Sequence, residues 1–301
     1  MKELPLIKYS KVWLGFSAII LIACVVLLAV FGLKPGIDFT GGSLMEIEFS
    51  STRPENTAID EVLKTNNLNN NVIQKSESRS VIIRTEFLDE KVHQKLLTDL
   101  KSKLEADNNK ITESRFETIG AVVSQQLRSR AIFAVFFVIL GIVIYVAYAF
   151  RKVSRPVASW KYGLLAIVAL IHDVMLVLGV FAVLGRYLGV EVNIAIVVAC
   201  LTVLGYSVND TIVVYDRIRE NLLRTRWEDF AEVVNKGLNQ TLLRSINTTL
   251  TTLLPLFVLY FLGGSTIQYF ALALIIGIAS GAYSSIFIAS PLLVLIQKFK
   301  R

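Results

Sequence analysis

From Ser245 to Gln297 the chain carries no charged residue, and only "GGST", Gly263 to Thr266, offers a turn within that run. About 20 residues at 1.5 Å rise cross the hydrocarbon core of a bilayer, so a run of this length reads as two spans joined tightly. The same criterion finds four earlier runs, Val12 to Leu33, Ala131 to Phe150, Tyr162 to Gly185 and Val192 to Tyr215, ahead of Ser245 to Leu262 and Thr266 to Ile296. A hydrophobic content of 54% and a mean hydropathy of +0.59 exceed what a soluble domain with a polar surface shows. The fold class is therefore a polytopic α-helical membrane protein with six transmembrane helices. The first run is too long for the apolar part of a cleaved leader, and "FGLKPG" after it offers no small-residue cleavage site, so it is expected to stay as an anchor.

A net charge of +7 raises the question of an acidic or nucleic-acid partner, but its distribution answers otherwise. Lys34 to Arg130 holds 14 basic and 15 acidic residues, so the excess lies elsewhere. It lies in Lys2, Lys8 and Lys11, in "RKVSRPVASWK", in "RIRENLLRTR" and in Lys298, Lys300 and Arg301. These alternate with segments that lack such an excess, the positive-inside pattern, which puts both termini in the cytoplasm and the segment after the first span outside. No nucleic-acid partner is expected; the lipid bilayer is. Cys24 and Cys200 fall inside spans, leaving the external segment without a disulfide.

That segment reads element by element. "SLMEIEFS" alternates as a strand, "PENTAIDEVLKTNN" is a helix opened by Pro54, and "VIQKSES" and "SVIIRTEF" are strands around a turn near Ser78. An amphipathic helix, "DEKVHQKLLTDLKSKLEA", and a last strand, "ITESRFETIG", complete a βαββαβ order, that of a ferredoxin-like α+β domain. After Gly120, "AVVSQQLRSRAIFAV" is expected to run as one helix into the second span. The organisation is then residues 1–33 as cytoplasmic N-terminus and first span, 34–128 as the external domain, and 129–301 as a five-helix membrane region with cytoplasmic loops near 151–161 and 216–243.

Ionisable groups inside spans carry the functional signal, since an Asp at a span centre costs roughly 2.5 to 3.5 kcal/mol and such residues mark ion or substrate paths. Asp210 lies within the fourth span. Helical spacing puts Tyr206 and Ser207 on its face, with Asn209 and Thr211 to either side. Its expected partner is Arg244 at the start of the fifth span, from which Asn247, Thr248 and Thr251 continue a polar stripe inward. His172 and Asp173 sit near the middle of the third span and rank second, open equally to a proton relay and to a structural anchor. Asp216, Arg217, Arg219 and Glu220 read as a solvated helix end with local ion pairs. Ala273, Gly277, Gly281 and Ser285 form a small-residue stripe in the last span, assigned to helix packing alone.

No phosphate-binding loop, HExxH, CxxC or GxSxG motif occurs, and two histidines make no metal constellation. Enzymatic chemistry, metals and cofactors are not expected, protons as coupling ion aside.

"GIDFTGG" (with Gly36, Asp38, Gly41 and Gly42), "IHDVMLVLGV", "LGYSVNDTIVVYDRIREN" and "LLRSINTTLTTLLPL", in this order, resemble the SecF family, the smaller membrane subunit of the bacterial SecD/SecF protein-export complex. "GIDFTGG" alone reads as a glycine turn between a helix and a strand. The resemblance implies half of a pseudo-twofold bundle of the proton-driven RND transporter superfamily, located in the bacterial inner membrane. It implies a SecD-like partner, association with the SecYEG channel and its accessory translocase subunits, unfolded preprotein as cargo, and use of the proton-motive force in late stages of export. It also implicates Asp210 and Arg244 in proton conduction. Two other readings stay open at this point: a non-transporting scaffold of the translocase whose buried charges lock helix packing, and an exporter of lipid or small molecules on the same membrane fold.

Overall fold

The structure, a computed structural model, describes residues 3–75, 79–106, 108–150, 158–224 and 229–298. The basic segment 151–157, residues 225–228, the turn near Ser78, and Lys2, Lys300 and Arg301 lie outside the described residues. Two compact units emerge, one of residues 1–34 and 132–301, the other of residues 35–131.

In chain order the helices are α1 (Ser10–Phe31), α2 (Ile37–Thr40), α3 (Asn56–Thr65), α4 (Glu90–Leu104), α5 (Ala121–Ala149), α6 (Ser159–Leu188), α7 (Ile194–Arg224), α8 (Phe230–Leu262), α9 (Ser265–Ser284) and α10 (Ser290–Lys298). Six helical stretches are long and apolar enough to cross a membrane: Ile7–Phe31, Ala121–Ala149, Trp160–Leu188, Ile194–Arg224, Phe230–Leu262 and Ile267–Gln297. The chain is thus a multi-pass membrane protein.

Within the larger unit α9 is the central helix, packed against α6, α7 and α8, while α1 lies along α6. The close approach of α9 to α7 follows from its small residues: a Cβ on Gly277 would collide with Val203, and one on Gly281 would lie 2.8 Å from the Ser207 Cβ. Ala273 is fully buried. At one end of the bundle Phe150, Tyr162 and Tyr215 form a buried aromatic cluster, with ring centroids 5.2 Å apart for both Phe150–Tyr162 and Tyr162–Tyr215.

Two features differ from the sequence expectation. Among the described residues, most of the region 216–243 is helical. α7 continues to Arg224, and α8 begins at Phe230 behind the N-cap residue Asp229. Charge bars a residue from lipid but not from a helix, and here the charges sustain helical structure. Glu220 pairs with Arg217 at 2.5 Å and Arg224 at 2.6 Å, and Gln240 of α8 accepts from Arg217 Nε at 2.6 Å and from Asn221 at 2.9 Å. In the same way Ser159 to Lys161, placed in the loop near 151–161, open α6. The last span is not one α-helix either. Between α9 and α10 lies a π-helical segment, Ser285–Ala289, in which the Ser290 hydroxyl donates to the Ser285 carbonyl five residues back, at 2.9 Å.

The smaller unit carries β1 (Gly42–Phe49), β2 (Val72–Lys75), β3 (Ser80–Thr85) and β4 (Ile111–Ile119) in a four-stranded antiparallel sheet of order β2-β3-β1-β4. With α3 and α4 between the strands in sequence, this is the ferredoxin-like arrangement read from the alternation. Met45, Ile47 and Phe49 point into a core with Ile59, Leu63, Leu96 and Leu100. "GIDFTGG" holds more than a turn. Gly36 caps the one-turn helix α2, whose first turn contains Asp38. Gly41 (φ +74°) and Gly42 (φ +115°) then swing the chain into β1, and a Cβ on Gly42 would lie 2.6 Å from the Thr85 carbonyl oxygen.

Candidate functional site

A carboxylate in the interior of an apolar bundle needs hydrogen-bond donors, because its bare desolvation costs several kcal/mol. α6 and α7 each bury one such group, and the donors come almost entirely from serines.

Asp173 on α6 has no exposed surface. Its Oδ1 accepts from Ser280 at 2.6 Å and faces the His172 Nδ1 at 3.2 Å, while its Oδ2 accepts from Ser207 at 2.6 Å and Ser284 at 2.7 Å. Three helices, α6, α7 and α9, therefore converge on one carboxylate. Asp210 on α7, 7% exposed, accepts from Ser245 of α8 at 2.5 Å and from Ser285 at the start of the π segment. Among the described residues no Lys, Arg or His forms an ion pair with Asp210.

Arg244, the expected partner of Asp210, is exposed. The depth expected of it holds to within one residue, because its neighbour Ser245 reaches Asp210, but adjacent helix positions differ by about 100° and the guanidinium is on another face. Asn247, Thr248 and Thr251 share that exposure, and the two threonine hydroxyls turn back to the carbonyls of Arg244 and Asn247 at 3.0 Å. Across from them Asn209 is exposed as well, and Tyr206, instead of serving Asp210, meets the Thr252 hydroxyl at 3.4 Å. Ser207 serves the other carboxylate.

Ser285, read as packing only, is a donor to Asp210. Ser245, Ser280 and Ser284 were not singled out by the sequence reading at all. The available signal was Ser280 and Ser284, four residues apart on one face of the last span, with Ser285 about 100° round from Ser284.

The arrangement can hold negative charge, or exchange it for a proton, at two buried points, each held by its own set of hydroxyls. Comparison with known proteins places it in context. Residues 99–299 match the family model described as protein export membrane protein SecD/SecF, C-terminal, and residues 26–52 match the SecD/SecF GG motif. The chain is 41% identical to protein translocase subunit SecF of Thermobaculum terrenum, covering 97% of this chain and 93% of that one. It is 37% identical to protein translocase subunit SecDF of Brucella abortus over 97% of this chain but only 37% of the relative. The crystal structure of SecDF, a translocon-associated membrane protein from Thermus thermophilus, superposes with a TM-score of 0.84 at 32% identity, covering 99% of this chain and 39% of that one. SecDF in a super-membrane-facing form gives 0.69, also at 32% identity, over 100% of this chain and 39% of that one. With a family model over most of its length and relatives matched end to end, the chain belongs to the SecD/SecF family of protein export membrane proteins.

Proposed function

We propose that the chain is the SecF-type subunit of a protein translocase in the bacterial cytoplasmic membrane, and that with a SecD-type partner it uses the proton-motive force to promote late stages of Sec-dependent export. The observation that carries this reading is Asp210: a buried carboxylate inside a span, held by hydroxyls alone. A fixed structural charge would be expected to carry a countercharge. One held by Ser245 and Ser285 keeps its hydrogen bonds in either protonation state, since a hydroxyl donates to a carboxylate and accepts from a carboxylic acid.

The SecDF relatives support the partner, because there the matched segment is about two-fifths of a longer chain. The exposed polar stripe of Arg244, Asn247, Thr248 and Thr251, set in a span, supports it independently. In this reading the partner covers that stripe. Arg244 enters the cycle when α8 turns, since a rotation of about 100° exchanges Ser245 for Arg244 at Asp210. The ionised acid then gains a cation, and the protonated acid returns to the serine. One charge crossing 100 mV releases about 2.3 kcal/mol, enough to bias two helix arrangements by tens of fold. The SecYEG channel and an emerging unfolded preprotein complete the system. The basic residues orient it with both termini cytoplasmic and residues 35–131 outside.

The test is Asp210→Asn in the complex reconstituted with its partner. Loss of proton flux together with loss of the export stimulus is the expected result; normal flux and undiminished export would sink the reading.

A further inference from the structure

The cluster at Asp173 is separate from the Asp210 site and has a feature that hydrogen bonding alone does not use. His172, 4% exposed, turns its Nδ1 to Asp173 Oδ1, and its Nε2 is buried with no hydrogen-bond partner. A buried polar atom left unpaired is unfavourable, and this one belongs to a ring whose other nitrogen is held by a buried carboxylate.

The protonation pattern follows from the donors. Three serine hydroxyls and one imidazole nitrogen converge on the two oxygens of Asp173, so the acid accepts at every one of its contacts. Nδ1 therefore carries hydrogen and donates, and the neutral ring leaves Nε2 as a bare lone pair. We propose that His172 Nε2 is a proton-binding site inside the membrane, with Asp173 as its fixed countercharge. The step forms one N–H bond at Nε2 and breaks one O–H bond of a hydronium ion, which departs as water; no bond within the cluster is broken. The resulting imidazolium sits directly against a carboxylate, and the proton leaves by the nitrogen it entered.

The surroundings fit a single positive charge. Of the elements packed against α6, α1 contributes Cys24, beside Gly179, and Ser17, bonded to the Tyr283 hydroxyl at 2.9 Å. α7 contributes Cys200, Asp210 and Tyr215, of which Asp210 is held by Ser245 and Ser285. α9 contributes Tyr283, whose ring centroid lies 6.2 Å from the imidazole at a 32° tilt. The π segment and the buried residues of α10, Ser290, Leu293 and Val294, bring no charge. Asp173 is thus the anion placed to balance a protonated His172, and Tyr283 supplies a polarisable neighbour.

The chain has two histidines, so His93→Gln leaves one imidazole to observe. The experiment is ring-¹⁵N NMR of this full-length variant in lipid nanodiscs between pH 8 and pH 5. The expected spectrum has one protonated and one bare ring nitrogen at the alkaline end, with the bare one converting to imidazolium as pH falls. Asp173→Asn removes the countercharge and should diminish the imidazolium signal. Ser280→Ala removes a donor that competes for Oδ1 and should raise the imidazolium fraction, which keeps the test decisive if the Asn variant does not fold. A ring that stays neutral to pH 5, a bare nitrogen that proves to be Nδ1, or a Ser280→Ala fraction that is unchanged or lower would overturn the proposal. The titration should persist in Asp210→Asn even if export is lost there, so failure of this site and failure of the Asp210 reading are separate outcomes; its disappearance in that variant would show that His172 does not bind a proton independently of Asp210 and would overturn the proposal.

Discussion

Ser284 and Ser285 are neighbours in the chain, yet they hold different carboxylates: Ser284 donates to Asp173 at 2.7 Å and Ser285 donates to Asp210. They lie at the junction where α9 gives way to the π segment, the one place in this helix where the backbone ladder changes register. A π turn is less stable than an α turn and is frequent at functional sites. Release of Ser285 by Asp210 therefore acts on a backbone already near a second conformation, one residue from the hold on Asp173.

Removing a serine from Asp210 should be graded by where the serine sits. Ser285→Ala is expected to slow the proposed proton-coupled export more than Ser245→Ala, because α8 retains Arg244 beside the lost hydroxyl whereas the π segment, Ser285–Ala289, has no second polar side chain. Proton flux into vesicles, compared at equal protein content, decides it. Equal defects would mean that the two hydroxyls act only as donors.

Truncating the two acids should separate charge from stability. Ser284 and Ser285 can fall back on the carbonyls of Gly281 and Ala282, so Asp173→Ala strands Ser207, Ser280 and the His172 Nδ1 whereas Asp210→Ala strands Ser245, at about 1–3 kcal/mol for each buried polar group left unmade. Thermal inactivation in detergent should consequently show the larger loss for Asp173→Ala.

The α7–α9 contact leaves no room for even one methyl. Gly281→Ala places a carbon 2.8 Å from the Ser207 Cβ, and Ser207 is a donor to Asp173. A destabilisation of about 1–3 kcal/mol is expected from overpacking, with loss of export activity in the protein that does fold. Gly205→Ala, with open space around it, serves as the neutral control.

In the smaller unit Gly42→Ala should be worse than Gly120→Ala. Gly42 combines φ +115° with a Cβ position 2.6 Å from the Thr85 carbonyl oxygen, whereas Gly120 meets only the Phe87 ring at 3.9 Å. Backbone strain of about 1–3 kcal/mol adds to the clash at the first site. Limited proteolysis of residues 35–131 within the intact chain would register the difference.

Acid should loosen α3 before it loosens α4. Lys64, 2.6 Å away, and the Asn71 amide hold the Asp60 carboxyl below its ordinary value, and Asp60 in turn raises Lys64. A depressed carboxyl stabilises the fold above its unfolded value of about 3.9 and loses that contribution as pH falls through the lower folded one. The raised lysine contributes below about 10.4 and loses its share as pH climbs through the higher folded value. Amide exchange in α3 should accordingly be pH-independent across neutrality, after correction for intrinsic rates, and rise below pH 4; Asp60→Asn should remove the acid limb.

The spans and the sheet were legible because each leaves a one-dimensional trace: uncharged length for α1 and α5 to α10, and strict alternation for Met45, Ile47 and Phe49. Asp173 and Asp210 were legible for the converse reason, as charges inside such length. Their donors were not. A serine is nearly neutral in hydropathy, and whether Ser207 turns to Asp210 three residues along its own helix or to Asp173 on another is decided by packing between helices. The same holds for Arg244, whose position along α8 was right and whose face was not. Asp216 to Glu220 read correctly as a charged helix end with local ion pairs, and what the sequence did not show is how far helix continues on either side of residues 225–228, to Arg224 and again from Phe230.

The exposed stripe on α8 has a consequence for supply as well as for mechanism. Arg244, Asn247, Thr248 and Thr251 present a guanidinium, an amide and two hydroxyls to whatever lies beside the helix. A copy synthesised in excess of its partner would offer that face to acyl chains, at a cost of several kcal/mol, while a paired copy would hide it. In the proposed complex the stripe would therefore distinguish an unpaired subunit from a paired one, a difference that a membrane protease could read.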